Sequence, residues 1–136
     1  MATVRLWSDA EAEADSAVKA VFDDIRATRK SAFVNNFWRG LANDPVALGR
    51  TWANLKAIMV QPGALDPLTC ELIYMAVSAT NGCSYCIYSH SAAARQKGMT
   101  DAQYAHFLSI VGMAAQTNAL VTTMLIPVDE AFKVES

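Results

Sequence analysis

Within eight residues this chain places two of its three cysteines and one of its two histidines, as Cys83, Cys86 and His90. An acid, Glu71, stands twelve positions before the first cysteine. Cysteines three apart on a helix approach closely enough for a disulfide, and Cys86 and His90, four apart, share a face. Both sulfurs fall in or near the first turn of the helix they open, where exposed N–H groups and the positive end of the macrodipole stabilise a thiolate and a neighbouring imidazole can take its proton. An unperturbed thiol of pKa about 8.5 is only about 3% ionised at pH 7, so such tuning decides its reactivity. A thiolate of this kind attacks the O–O bond of a peroxide, becomes a sulfenic acid and condenses with a second thiol. An external dithiol then reduces the disulfide by exchange. Glu71 is the candidate acid that orients and polarises His90.

This chemistry requires a particular backbone. On one continuous helix Glu71 and Cys83 would lie about 18 Å apart along the axis. If Asn81-Gly82 folds the chain back, a bend between residues 80 and 81 makes Glu71 and His90 equidistant from the turn and sets them side by side. Asp66-Pro67 starts the first arm, expected from Pro67 to about Thr80, and the second arm runs from near Cys83 to before Gly98. On the first arm Leu68, Leu72, Ile73, Ala76 and Val77 are the expected buried positions. Glu71, Met75 and Ser78 follow a different line.

The remaining segments also have helical periodicity. Ser8 and Glu11 form a capping box for a helix expected over 9–28, Phe33, Phe37, Trp38 and Leu41 suit a short helix, and Asp44-Pro45 opens another to about residue 60. Thr100 and Gln103 repeat the capping box. Gly112 is expected to interrupt the helix that follows, with residues 113–126 forming one more. No stretch alternates like a strand, so the expected fold is all-α, a single domain over residues 1–136 with a central helical hairpin carrying the Cys-x-x-Cys pair.

With 53% hydrophobic and only 18% charged residues, the 136-residue chain has more apolar surface than a typical single core needs. A second subunit covering part of it is the reading we favour. A net charge of -2, with Arg26, Arg29 and Lys30 as a short basic cluster, argues against nucleic acid. The opening residues lack a secretion-signal stretch and no uninterrupted apolar run approaches the roughly 18 residues of a membrane span, so the expected location is cytoplasmic, without a membrane. In that compartment a Cys-x-x-Cys pair points to catalysis or metal binding rather than a permanent staple.

The pattern of Glu71, Cys83-x-x-Cys86 and His90, with Ser78 and Asn81 between, resembles the AhpD-like alkylhydroperoxidase branch of the carboxymuconolactone decarboxylase superfamily. The specific match covers about 20 residues. The resemblance implies an all-helical fold and a thiol-dependent peroxidase in which Cys86 attacks an organic hydroperoxide, Cys83 resolves, and Glu71 and His90 relay protons. It also implies no organic cofactor or metal, an external dithiol reductant such as a lipoylated or thioredoxin-like protein, and a homo-oligomer, a trimer or hexamer. Where the best-studied peroxidases of the family have a histidine before the second cysteine, this chain has Tyr85.

Other readings compete with this one. Cys83, Cys86, His90 and Glu71 make a four-ligand set on paper, but three ligands within eight residues of one helix suit tetrahedral zinc poorly. Haem attachment needs His directly after the second cysteine, and Ile87 is there. His106 reads as a surface or core-edge histidine, Cys70 as a buried apolar residue, and Ser78 equally as a site hydroxyl or a small packing residue. Tyr85 and Tyr88 are candidates for an access channel or subunit contact. Two alternative functions keep the fold: a non-redox decarboxylase-like enzyme using Glu71 and His90 for acid–base chemistry, and a redox sensor whose disulfide changes assembly.

Overall fold

A computed structural model describes residues 2–133. Their regular structure is all helical, with no strand among the described residues, and they fall into two compact units that meet in sequence at Ala64 and Leu65.

The first unit holds four helices: α1 (Asp9–Glu13), α2 (Ser16–Arg29), α3 (Asn36–Leu41) and α4 (Pro45–Met59). The expected first helix is thus two. Ser8 and Glu11 form the capping box of α1, but Asp15 caps again, its Oδ1 accepting from the N–H groups of Ala17 at 2.9 Å and Val18 at 3.1 Å. Capping by an aspartate competes with helix continuation and wins here. Val18, Phe22 and Ile25 of α2 bury against Trp38, Leu48 and Trp52, and the two indoles meet edge to face at 5.3 Å. Behind them Asp24 accepts from Trp52 Nε1 at 2.6 Å and from Lys56 Nζ at 2.8 and 2.9 Å, tying α2 to α4.

The second unit holds α5 (Pro67–Thr80), α6 (Ser84–Gln96) and α7 (Asp101–Met124), followed by a 3-10 turn at Glu130–Phe132. Asp66 caps α5 through the Thr69 N–H at 3.0 Å, with Pro67 in the first turn. Thr100 and Gln103 make the capping box of α7. Gly112 does not interrupt this helix: one glycine costs about 1 kcal/mol in a helix interior, too little to end a run that is otherwise well formed on both sides.

The buried line of α5 is Glu71, Met75 and Ser78, not the one expected from hydrophobicity. Leu68, Leu72 and Ala76 are half-buried, whereas Ile73 is 49% and Val77 54% exposed. The physical reason is that α6 packs on the Glu71 face, with Met75, Ala94 and Met99 as the small core. Tyr104 and Phe107 from the start of α7 pack against that cluster, while every residue from Gly112 to Met124 is exposed. By length and composition α7 could cross a membrane.

Candidate active site

The bend between α5 and α6 is built from backbone. Asn81 donates to Val77 O at 3.0 Å, Gly82 to Ala79 O at 3.2 Å and Cys83 to Ser78 O at 2.9 Å. Gly82 takes φ +67, a conformation that side-chain-bearing residues adopt at a cost, so glycine is favoured at this turn. The chain reverses and α6 returns along α5.

That reversal brings Glu71 and His90 together, with Glu71 Oε2 2.6 Å from His90 Nδ1. An ionised carboxylate only accepts, so Nδ1 carries the hydrogen and Nε2 is the ring position open to a proton. The imidazole stacks on Tyr74 from the preceding helix, ring centroids 3.7 Å apart and planes within 19°. Glu71 is almost fully buried, and its other oxygen, Oε1, accepts from Lys97 Nζ. Burial pushes the Glu71 carboxyl up. Hydrogen bonds from His90 and Lys97, reinforced by the Lys97 charge, outweigh that and hold it below the usual 4.5.

Cys83 and Cys86 are joined as a disulfide, their Cα atoms 5.3 Å apart. Cys83 is the N-cap of α6, and the Cys86 N–H donates to its sulfur at 3.3 Å. Both cysteines are half-buried. Among the described residues no hydrogen bond joins His90 to either sulfur, so the structure brings together acid with imidazole and sulfur with sulfur on one hairpin without closing the circuit between the pairs.

The other singled-out residues fall elsewhere. The Ser78 hydroxyl donates to Tyr74 O at 2.7 Å, back into its own helix, and its carbonyl holds the bend. Cys70 is half-buried rather than buried, its thiol directed at Leu65 O at 3.9 Å. Tyr85 is 44% and Tyr88 81% exposed. His106 is exposed and borders an open groove of about 320 Å³ between α5 and α7, lined also by Leu72, Ile73, Ala76, Phe107 and Ile110. At about 100° per residue those α5 positions face away from Glu71, so the groove lies on the opposite side of that helix from the relay. Among the described residues no three His, Cys, Asp or Glu side chains converge as a metal set.

Lys97 is the site residue that sequence reasoning missed. Its signal was present. It lies seven residues after His90, two helical turns on the same face, immediately before the glycine that ends α6 with φ +90.

Comparison with known proteins gives a consistent result. The model of the Carboxymuconolactone decarboxylase family matches residues 47–129. A solved structure, the alkylhydroperoxidase AhpD core from Rhodospirillum rubrum, is 69% identical with a TM-score of 0.97 and covers 99% of each chain. Among curated proteins, an alkyl hydroperoxide reductase AhpD from Maricaulis maris is 40% identical over 67 residues, 49% of this chain and 36% of that protein. One of the same description from Mycobacteroides abscessus is 30% identical over 93 residues, 68% of this chain and 53% of that protein. The chain thus spans between about a third and a half of the length of the curated relatives it matches.

Proposed function

The chain belongs to the carboxymuconolactone decarboxylase family, and from that premise we propose that it is an AhpD-like thiol-dependent peroxidase reducing organic hydroperoxides through a Cys83/Cys86 dithiol–disulfide cycle. The observation that carries this reading is a cysteine pair at the start of α6 on the same hairpin as a buried carboxylate–imidazole pair.

His90 takes the proton of the Cys86 thiol through a bridging water. The thiolate attacks one oxygen of the hydroperoxide, the O–O bond breaks, and the departing alkoxide receives the proton from His90 and leaves as an alcohol. The Cys83 thiol attacks the Cys86 sulfenic acid, forming the disulfide and releasing water. An external dithiol, of the lipoylated or thioredoxin-like class, then returns both thiols and becomes a disulfide itself. The Cys86 N–H on the Cys83 sulfur stabilises negative charge there, which suits Cys83 as the leaving thiolate in that last step.

Assembly completes the reading. Ile73, Val77, Leu108, Ile110, Met113 and Leu120 are exposed, more apolar surface than a free monomer leaves open. Second copies of this chain, in a trimer or hexamer, cover it. Gln116 and Asn118 on the same helix favour a protein neighbour over lipid, where their amides would lack partners.

The test is a single turnover. The reduced protein, freed of reductant, is mixed with a small excess of organic hydroperoxide, and peroxide loss is followed with intact and peptide mass. We expect one peroxide lost per chain with a Cys83–Cys86 link, no loss in Cys86→Ser, and one slow turnover ending in a sulfenic acid in Cys83→Ser. Equal consumption by wild type and Cys86→Ser would sink the assignment. A non-redox acid–base enzyme is the second reading, because the Glu71–His90–Lys97 cluster is complete without sulfur. Turnover of a small organic acid retained in the double cysteine variant would favour it.

A further inference from the structure

The third member of the cluster has no part in the cycle as described, yet its placement is specific. Lys97 is the C-cap of α6, its backbone N–H bonded to the carbonyls of Ala93 and Ala94, and Gly98 and Met99 fold back on Arg95 O and Ala94 O at 3.0 Å. The cap therefore fixes where the Lys97 side chain begins. Helical side chains lean toward the N-terminus, so Lys97 reaches back along the face it shares with His90. Ala94 lies between them on that face, buried, with no side chain long enough to intervene. The ammonium ends on Glu71 Oε1 while His90 Nδ1 holds Oε2.

We propose that Lys97 is a positioning residue of the relay: by occupying Oε1 it keeps the buried Glu71 charged and turned toward His90, and so fixes the imidazole as the tautomer with Nδ1–H and an open Nε2. This deepens the peroxidase reading and rests on it for its catalytic consequence. A carboxylate as buried as Glu71, with only a neutral imidazole for company, would take up a proton and lose its hold on Nδ1–H. The ammonium on Oε1 supplies the compensating charge from a second side, so the hold of Glu71 on Nδ1–H does not depend on the imidazole alone. Besides His90 and Lys97, the basic side chains on α5, α6 and α7 are Arg95 and His106. Arg95 of α6 is engaged by Asp101 at 2.9 Å, and His106 of α7 borders the groove on the far side of α5. The aromatic rings here pack rather than pair with the carboxylate, Tyr74 on the His90 ring and Tyr104 and Phe107 against the Met75 cluster.

The experiment has a spectroscopic and a kinetic arm. Glu71 Cδ is followed by carbon-13 NMR on acidification in wild type, Lys97→Met, Lys97→Gln and Lys97→Arg, assigned through Glu71→Gln. The His90 ring nitrogens are read by nitrogen-15 NMR at neutral pH, with His106 as the internal control. We expect the Glu71 midpoint to rise by about one pH unit or more in Lys97→Met and Lys97→Gln, and to return toward wild type in Lys97→Arg. His90 should be one tautomer in wild type and Lys97→Arg, and a mixture in the two neutral variants. In the peroxide assay the neutral variants should lose about tenfold in kcat near pH 6, with the deficit shrinking as pH rises and KM unchanged. An unmoved Glu71 midpoint together with a single His90 tautomer in whichever neutral variant folds would overturn the proposal. Absence of peroxide loss in every form, wild type included, would remove the peroxidase reading, while a shifted titration would still uphold the role of Lys97.

Discussion

Two carboxylates in this chain are held by nearly the same pair of donors, in different units and to different effect. Asp24 accepts from an indole N–H and a lysine, and Glu71 from an imidazole and a lysine. Both are held below their usual values: Asp24 by hydrogen bonds from Lys56 and then Trp52, Glu71 by His90 and Lys97 overriding its burial. They differ in two respects. The Asp24 side chain is 42% exposed and that of Glu71 5%. Indole N–H donates only, whereas imidazole can give up and regain a proton. Asp24 thus joins α2 to α4 and can do little else, and Glu71 joins α5 to α6 through a group able to move protons. The chemistry of such a cluster lies in the titratable partner and in the exclusion of water, not in the carboxylate–lysine pair itself.

The sharpest way to break this comparison is to neutralise each acid without changing its shape. Glu71→Gln should reduce kcat/KM for an organic hydroperoxide by about 10²- to 10³-fold, the size of a lost proton-transfer partner. Asp24→Asn should stay within about twofold of wild type, because its hydrogen bonds to Trp52 and Lys56 serve the packing of α2 on α4. Steady-state peroxide consumption with a saturating dithiol reads both. Comparable losses in the two variants would show that each acid acts only through the fold.

What made the Glu71 cluster legible beforehand was the bend. Asp66-Pro67, Asn81-Gly82 and Gly98 are start and stop signals with local mechanisms, and they delimit α5 and α6 closely enough for simple counting to pair Glu71 with His90. Lys97 escaped because a basic residue in the last turn of a helix ordinarily reads as a partner of the macrodipole. Its seven-residue spacing from His90 carries meaning only once α6 is known to pack on the Glu71 face. The buried line of α5 was misjudged for a related reason. Ile73 and Val77 carry the hydrophobicity, but which face is covered depends on the neighbour, and here that neighbour brings His90 and Lys97. The break at Asp15 was hidden in the alanine-rich run of residues 9–28, where apolar spacing continues through a cap.

A middle-sized effect separates the two lysines. Removing Lys97 leaves a buried carboxylate without its cation, and Lys97→Met should cost about 2 kcal/mol of unfolding free energy at pH 7, discounted from the buried-pair range because the ammonium is partly exposed. Lys56→Met leaves Asp24 its indole bond and access to water, and should cost under about 1 kcal/mol. Urea denaturation followed by circular dichroism gives both numbers. A larger loss for Lys56→Met would mean that solvent reaches Glu71 more freely than its burial implies.

Acid should separate the two sites last and least. A carboxylate whose folded pKa lies below its unfolded one contributes stability that is complete above the unfolded value and disappears as pH falls through the folded value. For Glu71 that loss begins below the usual 4.5, and for Asp24 below the usual 3.8. Stability should therefore be nearly flat between about pH 7 and 5 as far as these two groups are concerned, then decline first through Glu71 and afterwards through Asp24. Glu71→Gln should flatten the upper part of the decline. Asp24→Asn should affect only the lower part, and weakly, since an exposed pair is screened by water and salt. Urea midpoints at pH 7, 5, 4 and 3 in low and high salt resolve the two, with the Glu71 contribution keeping its size in salt and the Asp24 contribution shrinking. An upper decline unchanged in Glu71→Gln would place the acid sensitivity outside the α5–α6 hairpin and make the two carboxylates equivalent after all.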